Sequence, residues 1–227
     1  MKTPEVTVVG VWNNDHGHYK DEWFHESCAA FAAQTAKPDD WLIVFFGRKV
    51  PQGISRYGFT AVHRPDLNYT EARAAGMDMV DTTWACVMDL DDIYEPTLIE
   101  KKLAYIAEHP DVVMISSWYR FMDEEGGLLA HVMDGQRIEE RMKNGPGPPS
   151  EKMAHPGIFL RMDAYRKSGG YNPELEHKPR PRQAAGEDRD LWPRIAEHGD
   201  WAVIPEFLWT YRRHAGQQVQ RPYKGEA

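Results

Sequence analysis

Cysteine is nearly absent: Cys28 and Cys86 are the two thiols in 227 residues. Both sit in apolar stretches, so they read as reduced core thiols and exclude a disulfide framework. Long hydrophobic runs are missing as well. No stretch approaches the roughly 20 apolar residues that a membrane-spanning helix needs, and the N-terminus passes straight into a β-branched run without a signal-peptide pattern. The expectation is a cytoplasmic protein with no membrane segment. A basic excess is also lacking, since 27 Lys and Arg stand against 35 Asp and Glu, a formal net charge of −8. That balance argues against a nucleic-acid surface as the main feature and leaves room for a local basic groove. Internal repeats and low-complexity tracts are absent. What is there is 41% hydrophobic and 27% charged, an ordinary globular composition. The length suits one generous domain or two small ones with a substantial core.

The chain alternates strand and helix patterns over its first half. Val6–Trp12 is a β-branched run broken by Asn13, Asn14 and Asp15. Glu22–Ala36 carries Trp23, Phe24, Cys28, Phe31 and Ala32 as a helical stripe, stopped by Lys37 and Pro38. Buried-type strands follow at Trp41–Phe46 and Phe59–Val62, with a small-residue helix over Tyr69–Asp81 and a strand from Trp84. Pro96 then opens a helix to His109. This order predicts an α/β fold with a mostly parallel, doubly wound sheet. After Asp111 the pattern changes. Val112–Phe121 and Leu128–Val132 flank a turn and read as an antiparallel hairpin grafted onto that sheet. Asn144–Ser150 reads as a loop, His155–Arg161 as a strand, Met162–Lys167 as a helix ended by Gly169 and Gly170, and Pro173–Ala185 as a long loop. Gly186–His198 is a helix pattern with Pro193 awkwardly inside it, and Trp201–Tyr211 is a last strand before a polar tail.

Two acidic sites stand out. Trp84–Met88 ends abruptly in Asp89, Asp91 and Asp92, three carboxylates in four residues, which repel one another unless a cation neutralises them. The carboxyl end of a buried strand is where open α/β sheets place ligands, and in an extended segment Asp89 and Asp91 point the same way. The plain alternative is an Asp-rich turn that caps the helix after Pro96. About a hundred residues later comes Gly186-Glu187-Asp188-Arg189-Asp190-Leu191-Trp192. Carboxylates at a helix start are favoured electrostatically with no catalytic role. The functional alternative is a general base facing the metal cluster.

The order of a first strand ending in Asn13, a second ending at Gly47, then Ala72-Arg73, D-L-D-D and the late G-E-D-R-D-L-W resembles a family 2 inverting glycosyltransferase of the GT-A fold. The likeness runs from about Val6 to His214. It implies one domain, with residues 1–110 forming a nucleotide-sugar-binding half and 111–227 an acceptor-binding half. By this resemblance Trp12, Asn13, Phe46 and Arg73 meet the donor, and Asp89 contacts its ribose or sugar. Asp91 binds a divalent cation, Mn2+ or Mg2+, with His214 as a further metal ligand. Asp188 is the catalytic base, with Glu187 beside it to orient the loop or the acceptor. The acceptor side falls to Trp192 and to Arg182 in the loop before Glu187. One departure concerns donor choice: the family's second strand ends in D-D-G-S, whereas this chain has Phe45-Phe46-Gly47-Arg48. Both carboxylates are replaced, and an aromatic is offered for stacking on the base.

Two other classes fit part of the pattern. A metal-dependent phosphohydrolase with an aspartyl nucleophile also places D-x-D after a strand, but on the first strand of its fold and followed by Thr. A non-catalytic nucleotide-sugar-binding module would not need Asp188. The acceptor stays open among polysaccharide, lipid-linked sugar, protein and modified nucleic-acid base. Lys178, Arg180 and Arg182 suit a phosphate-bearing acceptor and equally a solvated loop.

Overall fold

Nine strands form one sheet among the residues described by a computed structural model, namely 5–129, 132–133, 136–137, 149–175 and 186–215. Most of the loops read at Asn144–Ser150 and Pro173–Ala185, with Lys178, Arg180 and Arg182, lie outside them. So does the tail beyond Ala215. The first half supplies β1 (Val6–Trp12), α1 (Asp21–Ala32), β2 (Asp40–Phe45), β3 (Thr60–His63), α2 (Tyr69–Asp78), β4 (Trp84–Asp89), β5 (Ile93–Tyr94) and α3 (Leu98–Glu108). The second supplies β6 (Val112–Met122), β7 (Leu128–Leu129), the small pair β8 (Val132–Met133) and β9 (Gln136–Arg137), and α4 (Pro149–Lys152). It continues with β10 (Phe159–Arg161), α5 (Met162–Lys167), α6 (Glu187–Ala196) and β11 (Asp200–Arg212).

The sheet order is β3-β2-β1-β4-β10-β6-β11-β5, with β7 added on β6. Strands β1 to β4 are parallel to one another, and β10 runs antiparallel between β4 and β6. β4, β6 and β11 therefore all run the same way, β11 being parallel to β6. This is the α/β architecture that the strand–helix alternation predicts, including the antiparallel β6–β7 pair. Alternation along each strand splits the core into two layers. Val8, Ile43 and Cys86 join the layer with Phe24 and Phe31 of α1 and Leu98 and Ile106 of α3. Val9, Val44 and Val87 join that of α2, α5 and α6, through Met77, Tyr165, Leu191 and Trp192.

Register then sets the site. Trp12 pairs with Phe45 and Val11 with Asp89, so the chain leaves β1, β2 and β4 at one edge. β5 is two residues long and antiparallel to β11, pairing Tyr94 with Trp209 and Ile93 with Thr210. That pairing draws the end of β11 to the segment just after Asp92.

One local expectation is corrected, and one expected helix forms around an awkward proline. Of the stretch His155–Arg161, only Phe159–Arg161 is strand, because Gly157 adopts φ +71 and His155–Ile158 closes a turn instead. Pro193 lies inside α6 and forfeits one intrahelical bond. Burial of Leu191, Trp192 and Ile195 holds the helix, as do bonds from Arg194 to Asp190 Oδ2 at 2.5 Å and to the Gly170 carbonyl at 2.9 Å.

Candidate active site

Asp89 ends β4 and is held from several sides. Its backbone N–H donates to Tyr94 Oη at 2.7 Å, and that hydroxyl in turn donates to the Asp89 carbonyl at 2.9 Å. Burial, with Asp92 and Asp89 nearby, pushes the Tyr94 phenol up, so it keeps the proton this bond requires. The Asp89 carboxylate forms an ion pair through Oδ1 with Arg73, which is 2% exposed. Arg73 comes from α2, a helix fixed at its start by a capping box in which Asn68 and Glu71 exchange side-chain and backbone bonds at 2.9 and 2.8 Å. The Arg73 Nε also donates to Tyr69 Oη at 3.0 Å. Burial opposes the guanidinium charge, but Asp89 and Tyr69 outweigh it and hold the group charged. The other carboxylate oxygen, Oδ2, faces His155 Nδ1 at 3.9 Å.

Asp91 and Asp92 are reached by the end of β11. The Arg212 N–H donates to Asp92 Oδ1 at 2.9 Å and Arg212 Nε to the Asp91 carbonyl at 2.9 Å. His214, two residues on, brings Nε2 to 3.0 Å from Asp91 Oδ2. Its ring is buried between Tyr19 and Trp23, at centroid distances of 5.2 and 4.6 Å. Asp92 is fully buried, and burial, reinforced by Asp91 and Asp89, pushes its carboxyl well above the usual range. The neutral form is thereby favoured and the repulsion within the triplet eased.

At the ends of β1 and β2, Asn13 Oδ1 accepts the Asp15 N–H at 2.9 Å, and Asp15 Oδ1 accepts the N–H groups of Arg48 and Lys49 at 2.7 and 3.1 Å. The two loops lie so close that a Cβ on Gly47 would sit 2.5 Å from Asn13 Oδ1. Phe46 is half-buried and stands edge-on to Tyr69 at 6.0 Å. Its neighbour Phe45 is buried in the core with Phe24 and Phe59, so Phe46 is the less buried aromatic of the pair. Trp12, expected at the donor, packs inward against Tyr19 and Phe24 with 3% exposure and offers a ligand no ring face.

The late acidic pair opens α6, as the sequence suggests. Glu187 is buried and Asp188 half-buried, with Asp188 Oδ1 accepting the Arg189 N–H at 2.8 Å. After burial and Arg73, Asp89 and Glu187 act on the Tyr69 phenol, and both carboxylates of the pair push up Tyr171. The start of α6 is thus near Tyr69, which accepts from Arg73, and near Tyr171. Trp192 has no exposed surface and packs on His155 at 5.6 Å, so as placed it presents an acceptor nothing to touch. Arg182 lies outside the described residues. Tyr69, Tyr94, His155 and Tyr171 stand out only in the fold. None belongs to a spaced motif, and the turn at Gly157 that aims His155 looks like strand from composition.

Among the described residues no three His, Cys, Asp or Glu side chains gather into a cation cage. Asp91 with His214 is a two-ligand set, and in phosphate sites small divalent cations take their remaining ligands from phosphate oxygens and water. The donor chemistry therefore fits such a cation. No helix of the described residues is long and apolar enough to cross a membrane.

The family model for Glycosyl transferase family 2 matches residues 24–169. An uncharacterized glycosyltransferase of Methanocaldococcus jannaschii is 23% identical over 222 residues, covering 93% of this chain and 72% of its own. The amylovoran biosynthesis glycosyltransferase AmsE of Erwinia amylovora is 28% identical over 165 residues, covering 70% of this chain and 55% of its own. A crystal structure of S. aureus TarS in complex with UDP aligns over 92% of this chain and 60% of that chain, with a TM-score of 0.68 and 12% identity. That likeness is one of fold.

Proposed function

The chain belongs to glycosyl transferase family 2, and on that footing we propose that it is an inverting, metal-dependent enzyme. It moves a sugar from a nucleotide-sugar donor to an acceptor hydroxyl by single displacement. The observation that carries this reading is the division of labour at the end of β4. There Asp89 is paired with a buried arginine and Asp91 with His214, and His155, which faces Asp89, packs on Trp192 of the helix that opens with Glu187 and Asp188. The UDP bound in the TarS structure supports a nucleoside diphosphate donor for the same fold.

In this mechanism Asn13 and Phe46 meet the donor, Phe46 lending a ring face for the base, and Arg73 acts on the donor side by holding Asp89, which receives ribose or sugar hydroxyls. Asp91 and His214 would hold Mn2+ or Mg2+, which when bound neutralises charge on the departing diphosphate. Asp188 takes the proton of the acceptor hydroxyl as its oxygen bonds to the anomeric carbon and the bond to the diphosphate breaks. One such displacement inverts the configuration. Glu187, its buried neighbour in the chain, orients the loop or the acceptor. Residues 1–110 act as the donor half and 111–227 as the acceptor half, with Arg182 on the acceptor side. The acceptor is a glycan, a protein or a modified nucleic-acid base.

The test is sugar transfer and donor hydrolysis across a panel of nucleotide sugars, with and without EDTA, on wild type and Asp188→Asn. A base acts mainly in the transition state, so the variant loses about a hundredfold or more in turnover at nearly unchanged donor affinity. Normal turnover by the variant would remove Asp188 from the mechanism.

A further inference from the structure

His155 faces the first acidic site and packs on the helix that opens with the second, and nothing in the motif pattern assigns it a role. It leads the turn whose Gly157 N–H donates to the Val87 carbonyl at 2.7 Å, while the Val87 N–H donates to the Ile158 carbonyl at 3.0 Å. The turn is thus pinned to β4 two residues before Asp89. The imidazole is 8% exposed. Its Nε2 lies 2.7 Å from Tyr171 Oη, its Nδ1 lies 3.9 Å from Asp89 Oδ2, and its face meets Trp192 of α6. Tyr171 is itself buried, and its phenol is pushed up chiefly by that burial, so it keeps a proton to donate. A phenol donating to Nε2 leaves the imidazole proton on Nδ1, the tautomer that the Asp89 carboxylate prefers opposite it.

We infer that His155 is a positioning residue for Asp89, its Nδ1–H steering carboxylate oxygen Oδ2 while Arg73 holds Oδ1. The inference rests on reading this site as the donor site. At 3.9 Å the contact acts through charge and dipole rather than as a direct hydrogen bond. Its effect is to fix the plane of a carboxylate that Arg73 holds through Oδ1. Tyr171 sets the tautomer, and Trp192 ties the ring to the helix that begins with Glu187 and Asp188.

The experiment measures affinity for UDP, GDP and dTDP in Mn2+ by calorimetry, with melting temperature, for wild type and for His155→Phe, His155→Asn and His155→Gln. It adds Asp89→Asn and the double variant Asp89→Asn with His155→Phe. An Asn amide nitrogen overlays Nδ1 and a Gln amide nitrogen overlays Nε2, so the pair reports which ring nitrogen matters. Expected are a loss of about tenfold for His155→Phe, recovery to within about threefold with Asn and none with Gln. The double variant should be no weaker than Asp89→Asn alone. Wild-type affinity in His155→Phe, equal rescue by Asn and Gln, or full additivity in the double variant would each overturn the role. Should His155→Phe not fold, the contrast between Asn and Gln decides. Binding of none of the three nucleotides by wild type would instead overturn the donor-site reading, and this role with it.

Discussion

Replacing Arg73 by Met tests the pair on which the donor side depends. Arg73 is almost wholly buried and Asp89 is 20% exposed in its side chain, so the pair sits between two regimes. An exposed pair contributes up to about 1 kcal/mol, whereas breaking a fully buried one costs about 3–5 kcal/mol because a charge is left behind. Partial exposure of Asp89 lets water screen what remains, which places Arg73→Met at about 2–3 kcal/mol. Methionine fills most of the volume, so little of that is a cavity. In a chain of this size the melting temperature falls by about 2–4 °C per kcal/mol, so a drop of about 4–12 °C is expected. Thermal unfolding at low and high salt reads it out, and the deficit should persist at high salt because buried charges are poorly screened. Nucleotide affinity should fall in the same preparation, since Asp89 loses its anchor. A melting temperature within about 1 °C of wild type, with unchanged nucleotide affinity, would refute the reasoning.

Two further outcomes follow from charge and burial. Asp91→Asn removes a charge but leaves an amide oxygen for His214 Nε2, so it should keep the melting temperature close to wild type while abolishing the Mn2+ dependence of nucleotide binding by calorimetry. Lys102 is fully buried, donating to the carbonyls of Ile115, at 3.2 Å, and Gly157, and burial lowers its ammonium to about 7. Its folded-state value therefore lies below the unfolded one, and between about pH 7 and 10.4 the unfolded chain binds the extra proton. Wild-type stability should rise across that window, and Lys102→Met should flatten the rise. Melting curves from pH 6 to 10 check this, and identical pH dependence in the two proteins would count against it.

The sheet was legible in the sequence because parallel strands buried on both faces write themselves as apolar β-branched runs. β1 matches its expected bounds, and β2, β4 and β11 fall within one residue at each end. The hidden parts are those whose identity depends on a partner. β5 is two residues long and reads as part of a turn, yet its pairing with Trp209 and Thr210 carries His214 to Asp91. His155 sits in a stretch with strand composition that a single left-handed glycine turns aside. Trp12 and Trp192 show the converse. Motif position marks them, but each ring belongs to the core because its strand or helix turns that residue inward.

The D-L-D-D stretch shows why composition overstates the strain in such a cluster. Summed along the sequence, three carboxylates in four residues can only repel. In the fold each leaves in its own direction: Asp89 to Arg73 of α2, Asp91 to His214, and Asp92 inward to the backbone N–H of Arg212. The third is the one for which the ligand-binding pattern has no use, and it is the most buried. Its bond lies on the residue two before His214, so the same contact that takes Asp92 out of the charged cluster delivers the histidine to Asp91. A structural aspartate therefore completes the polar pair that its neighbour presents, and the order of β11 against β5 and β6 is what makes that possible.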